Sequence, residues 1–157
     1  MPETLRDRRV RHARSIIMPQ PSSAALLGES GDLSGLRVLV LGGAVSETLC
    51  ALMHTECRRA ETRMPGCQTE ARSADLVLVP HLTRESVDRV ISQATHALCH
   101  HGRIVIALPA ALPGHGRDLV AHCALMLIGA GFDLPMLRGE GELRTLCAVR
   151  GEHPNRA

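Results

Sequence analysis

The chain has 157 residues, 45% of them hydrophobic, and a net charge of +2. That is the size of one domain, able to bury about two thirds of its unfolded surface. It excludes general disorder, and so small a charge argues against nucleic-acid binding by the domain as a whole. All 18 basic residues are arginine, so no catalytic or Schiff-base lysine exists; with one phenylalanine and neither Trp nor Tyr, no base-stacking platform for single-stranded nucleic acid can be built.

Residues 1–34 read as a basic arm and linker. Arg6, Arg8, Arg9, Arg11 and Arg14 stand against Glu3 and Asp7, the balance of a solvated tail. The pattern allows a short helix over 5–18, anchored by Val10, Ile16 and Ile17 and stopped by Pro19 and Pro21. Ala24 to Leu27 is apolar and docks on the body, and 28–35 is a polar, glycine-punctuated linker. Residues 35–151 form the domain proper and 152–157 a tail. The longest apolar run, over 124–130, is far too short to span a bilayer. Nothing near the N-terminus has the pattern of a signal peptide, so a cytoplasmic location and no membrane contact are expected.

Leu36 to Leu41 has the aliphatic run of a strand buried on both faces of a parallel sheet. Gly42 and Gly43 turn the chain, and Ser46-Glu47-Thr48 opens a helix over 45–54 whose apolar positions are Leu49, Leu52 and Met53. A buried strand, a glycine turn and a helix N-terminus aim backbone N–H groups at a nucleotide-type ligand; a tight turn with nothing bound has the same sequence. A second strand over 57–63 is rich in arginine and so belongs near an edge. Pro65-Gly66 is a turn, and 75–80 is again an unbroken aliphatic strand. Thr83 caps a helix carrying Val87, Val90, Ile91, Ala94, Ala97 and Leu98 on one face. His100-His101-Gly102 ends it, with Gly102 in the left-handed position after the helix. A strand over 103–108 follows.

The loop 113–116 leads to a helix over 118–130 that is apolar nearly all round. It needs cover on more than one face, from the N-terminal arm or from a second subunit, which makes a homo-oligomer through this helix an expectation. Strands over 133–138 and 143–150 close the chain as a hairpin around 139–142. Strand and helix alternate, so the class is α/β.

The six cysteines show no C-x-x-C pair, and Cys50, Cys99, Cys123 and Cys147 sit in apolar patterns, as small hydrophobes do. No zinc-type spacing joins the histidines and cysteines, and no metal is expected. His81 follows a central strand, where α/β proteins place ligand-contacting residues, and is a weak candidate for a general base; a loop histidine without a role is the simpler reading.

The order of elements, with its final hairpin, resembles the Rossmann-like fold of the S-adenosylmethionine-dependent methyltransferases. Ala74 to Leu82 looks like that family's fourth motif, and His100-His101-Gly102-Arg103-Ile104-Val105-Ile106 like its turn into the fifth strand. Ala130-Gly131-Phe132 and the strand ending in Arg150 look like its last helix exit and final strand. The resemblance covers about 36–150 and implies a three-layer α/β sandwich, with a mostly parallel sheet in the order 2-1-4-5-7-6 and a C-terminal antiparallel hairpin. The distance between the strands at 36–41 and 75–80 leaves no room for the family's third strand and its helix.

The resemblance further implies that S-adenosylmethionine is held at Gly42, Gly43, Ala44, Ser46 and Pro80, with Glu61 on the ribose and a substrate of unknown kind, small molecule or protein, near His81 and 109–115. The chain departs from the pattern at Val40, where the family carries an acidic residue, and in its glycines, kept only at Gly42 with Ala44 and Ser46 in the other two places. The competing expectation is therefore a degenerate, non-catalytic relative that binds a partner or self-assembles. The turn Val40-Leu41-Gly42-Gly43-Ala44 also suits a nicotinamide dinucleotide, against which the terminal hairpin argues.

Overall fold

The computed structural model describes residues 21–42, 45–109, 116–139 and 143–152. Its elements are α1 (Pro21–Ser30), β1 (Arg37–Leu41), α2 (Val45–Met53), β2 (Arg59–Arg63), β3 (Ala74–Val79), α3 (Val87–Ala97), β4 (Leu98–Pro109), α4 (Gly116–Gly129), β5 (Met136–Arg138) and β6 (Leu143–Val149). The helix expected over 5–18 and most of the 139–142 loop lie outside the described residues.

The six strands form one sheet in the order β2-β1-β3-β4-β6-β5. β2, β1, β3 and β4 run parallel, and β6 is antiparallel to both β4 and β5. With β3 to β6 given the family's labels four to seven, this is the expected order 2-1-4-5-7-6. A direct connection from β2 to β3 replaces the third strand and its helix.

Side-chain alternation builds two cores. Leu39, Leu41, Val77, Val79, Ile104, Ile106 and Leu146 face α3 and α4 and meet Val90, Ile91, Ala94, Cys123 and Leu127. Val38, Val40, Leu76, Leu78, Val105 and Ala107 point the other way, toward Leu26 of α1 and Leu52 of α2. A strand with period-two side chains that is apolar on both faces needs such a double cover.

Several local expectations are corrected. The linker expected over 28–35 begins too early: α1 runs through Gly28 to Ser30, and Leu26 and Leu33 are buried against the sheet. Proline is tolerated in a first helical turn, and α1 begins at Pro21. In α2, Met53 is 81% exposed whereas Thr48 is fully buried. Thr48 is tolerated inside because its hydroxyl shares a 2.9 Å hydrogen bond with the buried Ser23 of α1. Cys50 lies about 200° round the helix from both Thr48 and Leu52 and is exposed; Cys99 and Cys147 are half-buried, and only Cys123 is fully inside. Desolvation pushes the Cys123 thiol up to about 11.

The turn after α3 also differs. The helix stops at Ala97 and β4 starts at once, with a register shift against β3 between Ala74 and Leu76. His101 carries the positive φ, 61°, and Gly102 does not. Gly102 is needed for closeness instead: a Cβ there would lie 2.8 Å from Leu98 Cδ2 and 2.9 Å from the Cys99 carbonyl oxygen. α4 buries Cys123 and Leu127 but leaves Leu125 70% and Ile128 46% exposed, so the cover expected on its second face is not supplied by the described residues.

At the amino end of the sheet, Arg37 clamps Asp75. The Arg37 backbone N–H and Nε both donate to Asp75 Oδ2 (2.9 and 3.0 Å), and NH2 donates to Oδ1 at 2.9 Å. NH2 also meets Cys99 Sγ, whose thiol donates to the Arg72 carbonyl. The guanidinium hydrogen bonds hold the Asp75 carboxyl below the usual carboxylate range, with desolvation opposing them.

Two measurements follow from this packing. In urea melts, Gly28→Ala on the exposed side of the last turn of α1, where a Cβ meets nothing within 4 Å, should raise stability by about 0.5 kcal/mol. Gly102→Ala should lower it by about 1–3 kcal/mol, because Leu98 and the Cys99 carbonyl must move. Asp75, with its folded pKa depressed, adds stability that is complete above the unfolded carboxylate value near 3.9 and is lost as pH falls toward the folded one. The stability gap between wild type and Asp75→Asn should therefore be constant from pH 5 to 7 and close on further acidification.

Candidate functional site

β1 is the point where the strand order reverses: the chain passes from β1 to β2 on one side and returns to β3 on the other. In open α/β sheets the crevice beyond the carboxyl ends at such a point is where ligands bind. Here that crevice lies beyond Leu41 and Val79. The pairing Val40↔Leu78 carries the register, and two residues further on come Gly42 and Pro80.

Gly42 is buried and has φ +69°, in the region that favours glycine. Its N–H donates to the Arg63 carbonyl oxygen at 3.1 Å, so the turn is tied to the end of β2. A Cβ on Gly42 would stand 3.2 Å from Pro65 Cγ. Gly43 and Ala44 lie outside the described residues. Ser46 is exposed in the first turn of α2, and Pro80 is buried directly after β3. Gly42, Ser46 and Pro80 are thus brought to one edge of the sheet.

The other candidates are not gathered so closely. His81 is at the right edge but exposed, with no hydrogen bond or ion pair to another described residue. Of 109–115, only the backbone of Pro109 is described. Glu61 pairs with Leu39, two residues short of the Leu41↔Arg63 pair that ends the strand. Its carboxylate is held between Arg59 and Arg63, the latter at 3.7 Å. Val40 is fully buried among the residues facing α1 and α2. It therefore fills core and offers no charge to a ligand.

Two residues at this edge were not singled out from sequence. Arg63 ends β2 beside Gly42, where a nucleotide site would place an acid, and Pro65 packs on the Gly42 turn. Both were visible as the last strand residue and the first turn residue after it; the signal was their position at a carboxyl edge, since residue type gave none. The connection they begin is pinned by Gln93 of α3, which accepts from Gly66 N–H (3.0 Å) and donates to the Cys67 carbonyl (2.8 Å).

Chemically, this edge offers a left-handed glycine, small side chains and a helix N-terminus, which together let a ligand approach the backbone. Among the described residues no three His, Cys, Asp or Glu side chains are grouped to hold a metal ion, and no helix is long and apolar enough to cross a membrane.

No family model matches the sequence, and none of the curated proteins matches it. Solved structures do match. The chain is similar to a Burkholderia thailandensis 1,6-didemethyltoxoflavin-N1-methyltransferase, solved with bound 1,6-didemethyltoxoflavin and S-adenosylhomocysteine: TM-score 0.61, 15% identity, 85% of this chain and 78% of that one. It is similar to a methyltransferase from Pyrococcus furiosus, with TM-score 0.60, 15% identity and 83% of each chain covered. It is also similar to an S-adenosylmethionine-dependent methyltransferase from Aquifex aeolicus, with TM-score 0.61, 12% identity, 82% of this chain and 89% of that one. At such identities the likeness is one of architecture, and on that ground the chain has the Rossmann-like fold of the S-adenosylmethionine-dependent methyltransferases.

Proposed function

We propose that this protein binds S-adenosylmethionine in the crevice beyond β1 and β3 and acts as a methyltransferase on a substrate not yet identified. The observation that carries this reading is the buried, left-handed Gly42 at the point of strand-order reversal, followed at once by the start of α2. Gly42, Gly43, Ala44 and Ser46 would hold the cofactor through backbone approach, and Pro80 would close the neighbouring side. The bound cofactor supplies an electrophilic methyl group. The chain's own part is to align an acceptor with it, which asks for position more than for a catalytic group, and His81 is a side chain at this edge able to take a proton.

A second reading, a non-catalytic relative that keeps the fold as an assembly module, is favoured by two observations. Val40 is locked in the core where the family carries an acid, and Glu61 is held by two arginines. Ligand binding separates the readings. Calorimetry should give micromolar affinity for S-adenosylmethionine or S-adenosylhomocysteine, lost in Gly42→Val, whose side chain meets both the positive φ and Pro65. Glu61→Gln should leave that affinity within about twofold, less than 0.5 kcal/mol, because its carboxylate is engaged along the strand. No heat and no rise in melting temperature at millimolar ligand would leave the assembly reading alone.

A further inference from the structure

With the third strand gone, β2 is the outer strand of the sheet. The Gly42 N–H bond to the Arg63 carbonyl and the Arg59 N–H bond to the Leu36 carbonyl show which backbone groups face β1. Backbone direction alternates along a strand, so the N–H and C=O groups of Ala60 and Thr62 point outward, toward no other strand among the described residues.

The side chains on this strand alternate in charge on one face: Arg59, Glu61, Arg63. An antiparallel partner of the same sequence makes that pattern selective. Pairing about Glu61 sets Glu61 against Glu61 and Arg59 against Arg63, which repel. Pairing about Ala60 sets Arg59 of each copy opposite Glu61 of the other, in the close, non-hydrogen-bonded position of an antiparallel ladder. It also lets Ala60 exchange both outward hydrogen bonds with its twin. Beside this edge lie two of the most exposed apolar side chains of the molecule: Met64, directly after β2, is 60% exposed, and Met53, at the end of the helix packed on β2, is 81% exposed.

We propose that β2 pairs antiparallel with β2 of a second copy about Ala60, joining two six-stranded sheets into one. Outward backbone groups supply the bonds, the Arg59–Glu61 crossings select against the register about Glu61, and Met53 and Met64 lie at the margin that the second copy would cover. This pairing does not depend on cofactor binding.

Sedimentation velocity and light scattering on the full chain test it. The wild type should reach twice its 16.9 kDa mass at concentrations up to about 100 µM. Glu61→Arg, which lines the edge with three arginines, should weaken association by roughly tenfold or more. Arg59→Glu with Glu61→Arg restores opposite charges across the dyad at Ala60 and should recover the dimer. Ala60→Pro removes an outward N–H without touching the β1 ladder and should give a monomer that keeps the wild type's circular dichroism spectrum. A wild type that stays monomeric overturns the proposal. So does a dimer indifferent to Glu61→Arg and Ala60→Pro, which would place the contact elsewhere, as at Leu125 and Ile128 of α4. Recovery by Glu61→Arg with Arg63→Glu instead would move the dyad to Thr62 and overturn the Ala60 register.

Discussion

Val38 to Leu41 and Leu76 to Val79 lie side by side in the middle of the sheet, none with more than 3% of its surface exposed. Two adjacent strands with no polar face cannot stand in water on either side. They require helices above and below, and the backbone groups they bury must be met by neighbouring strands. α1 and α2 cover one face and α3 and α4 the other, while β2 and β4 complete the ladders. The polar side chains are pushed to the two ends of this pair: Arg37 and Asp75 clamp the amino end, and the Gly42 turn, tied to Arg63, forms the carboxyl end. The crevice is thus a by-product of the same burial that stabilises the fold.

Loss of one strand and one helix reshapes everything next to β2. The connection to β3 is short, so Pro65 is drawn against Gly42 and Gln93 must satisfy the carbonyl and N–H groups of the loop. Arg63 occupies the strand end, and Glu61, further back, is neutralised by the arginines beside it. The same deletion leaves the outward edge of β2 open. The Gly42 turn and the outer edge of β2 are therefore shaped by one cause.

Polar groups inside the sandwich are few and mostly matched. Ser23 with Thr48 joins α1 to α2, and Gln93 holds the β2–β3 connection. The hydroxyl of Thr145, buried on β6, has no partner among the described residues. The matched groups link elements distant in sequence, which explains why α1 is part of the body even though its own sequence is mixed.

The sequence by itself determined the four inner strands, the helix over 45–54, the helix after Thr83 and the closing hairpin, because unbroken aliphatic runs and three- and four-residue spacing are local signals; the sheet order followed from the family resemblance. It also marked Gly42 and Gly43 as a turn, while the positive φ that favours glycine at position 42 came from the tertiary structure. What it could not settle rested on distant neighbours. Met53 faces water while Thr48 is buried, since Ser23 lies across from Thr48. Gly102 is required by the closeness of Leu98 and Cys99 and not by its dihedral angle. Glu61 falls short of the strand end, since register with β1 fixes where β2 stops. Periodicity says which side of an element is apolar; only the tertiary structure says what stands opposite each side chain, and that decides which polar groups can be buried and which carboxylate is left to meet a ligand.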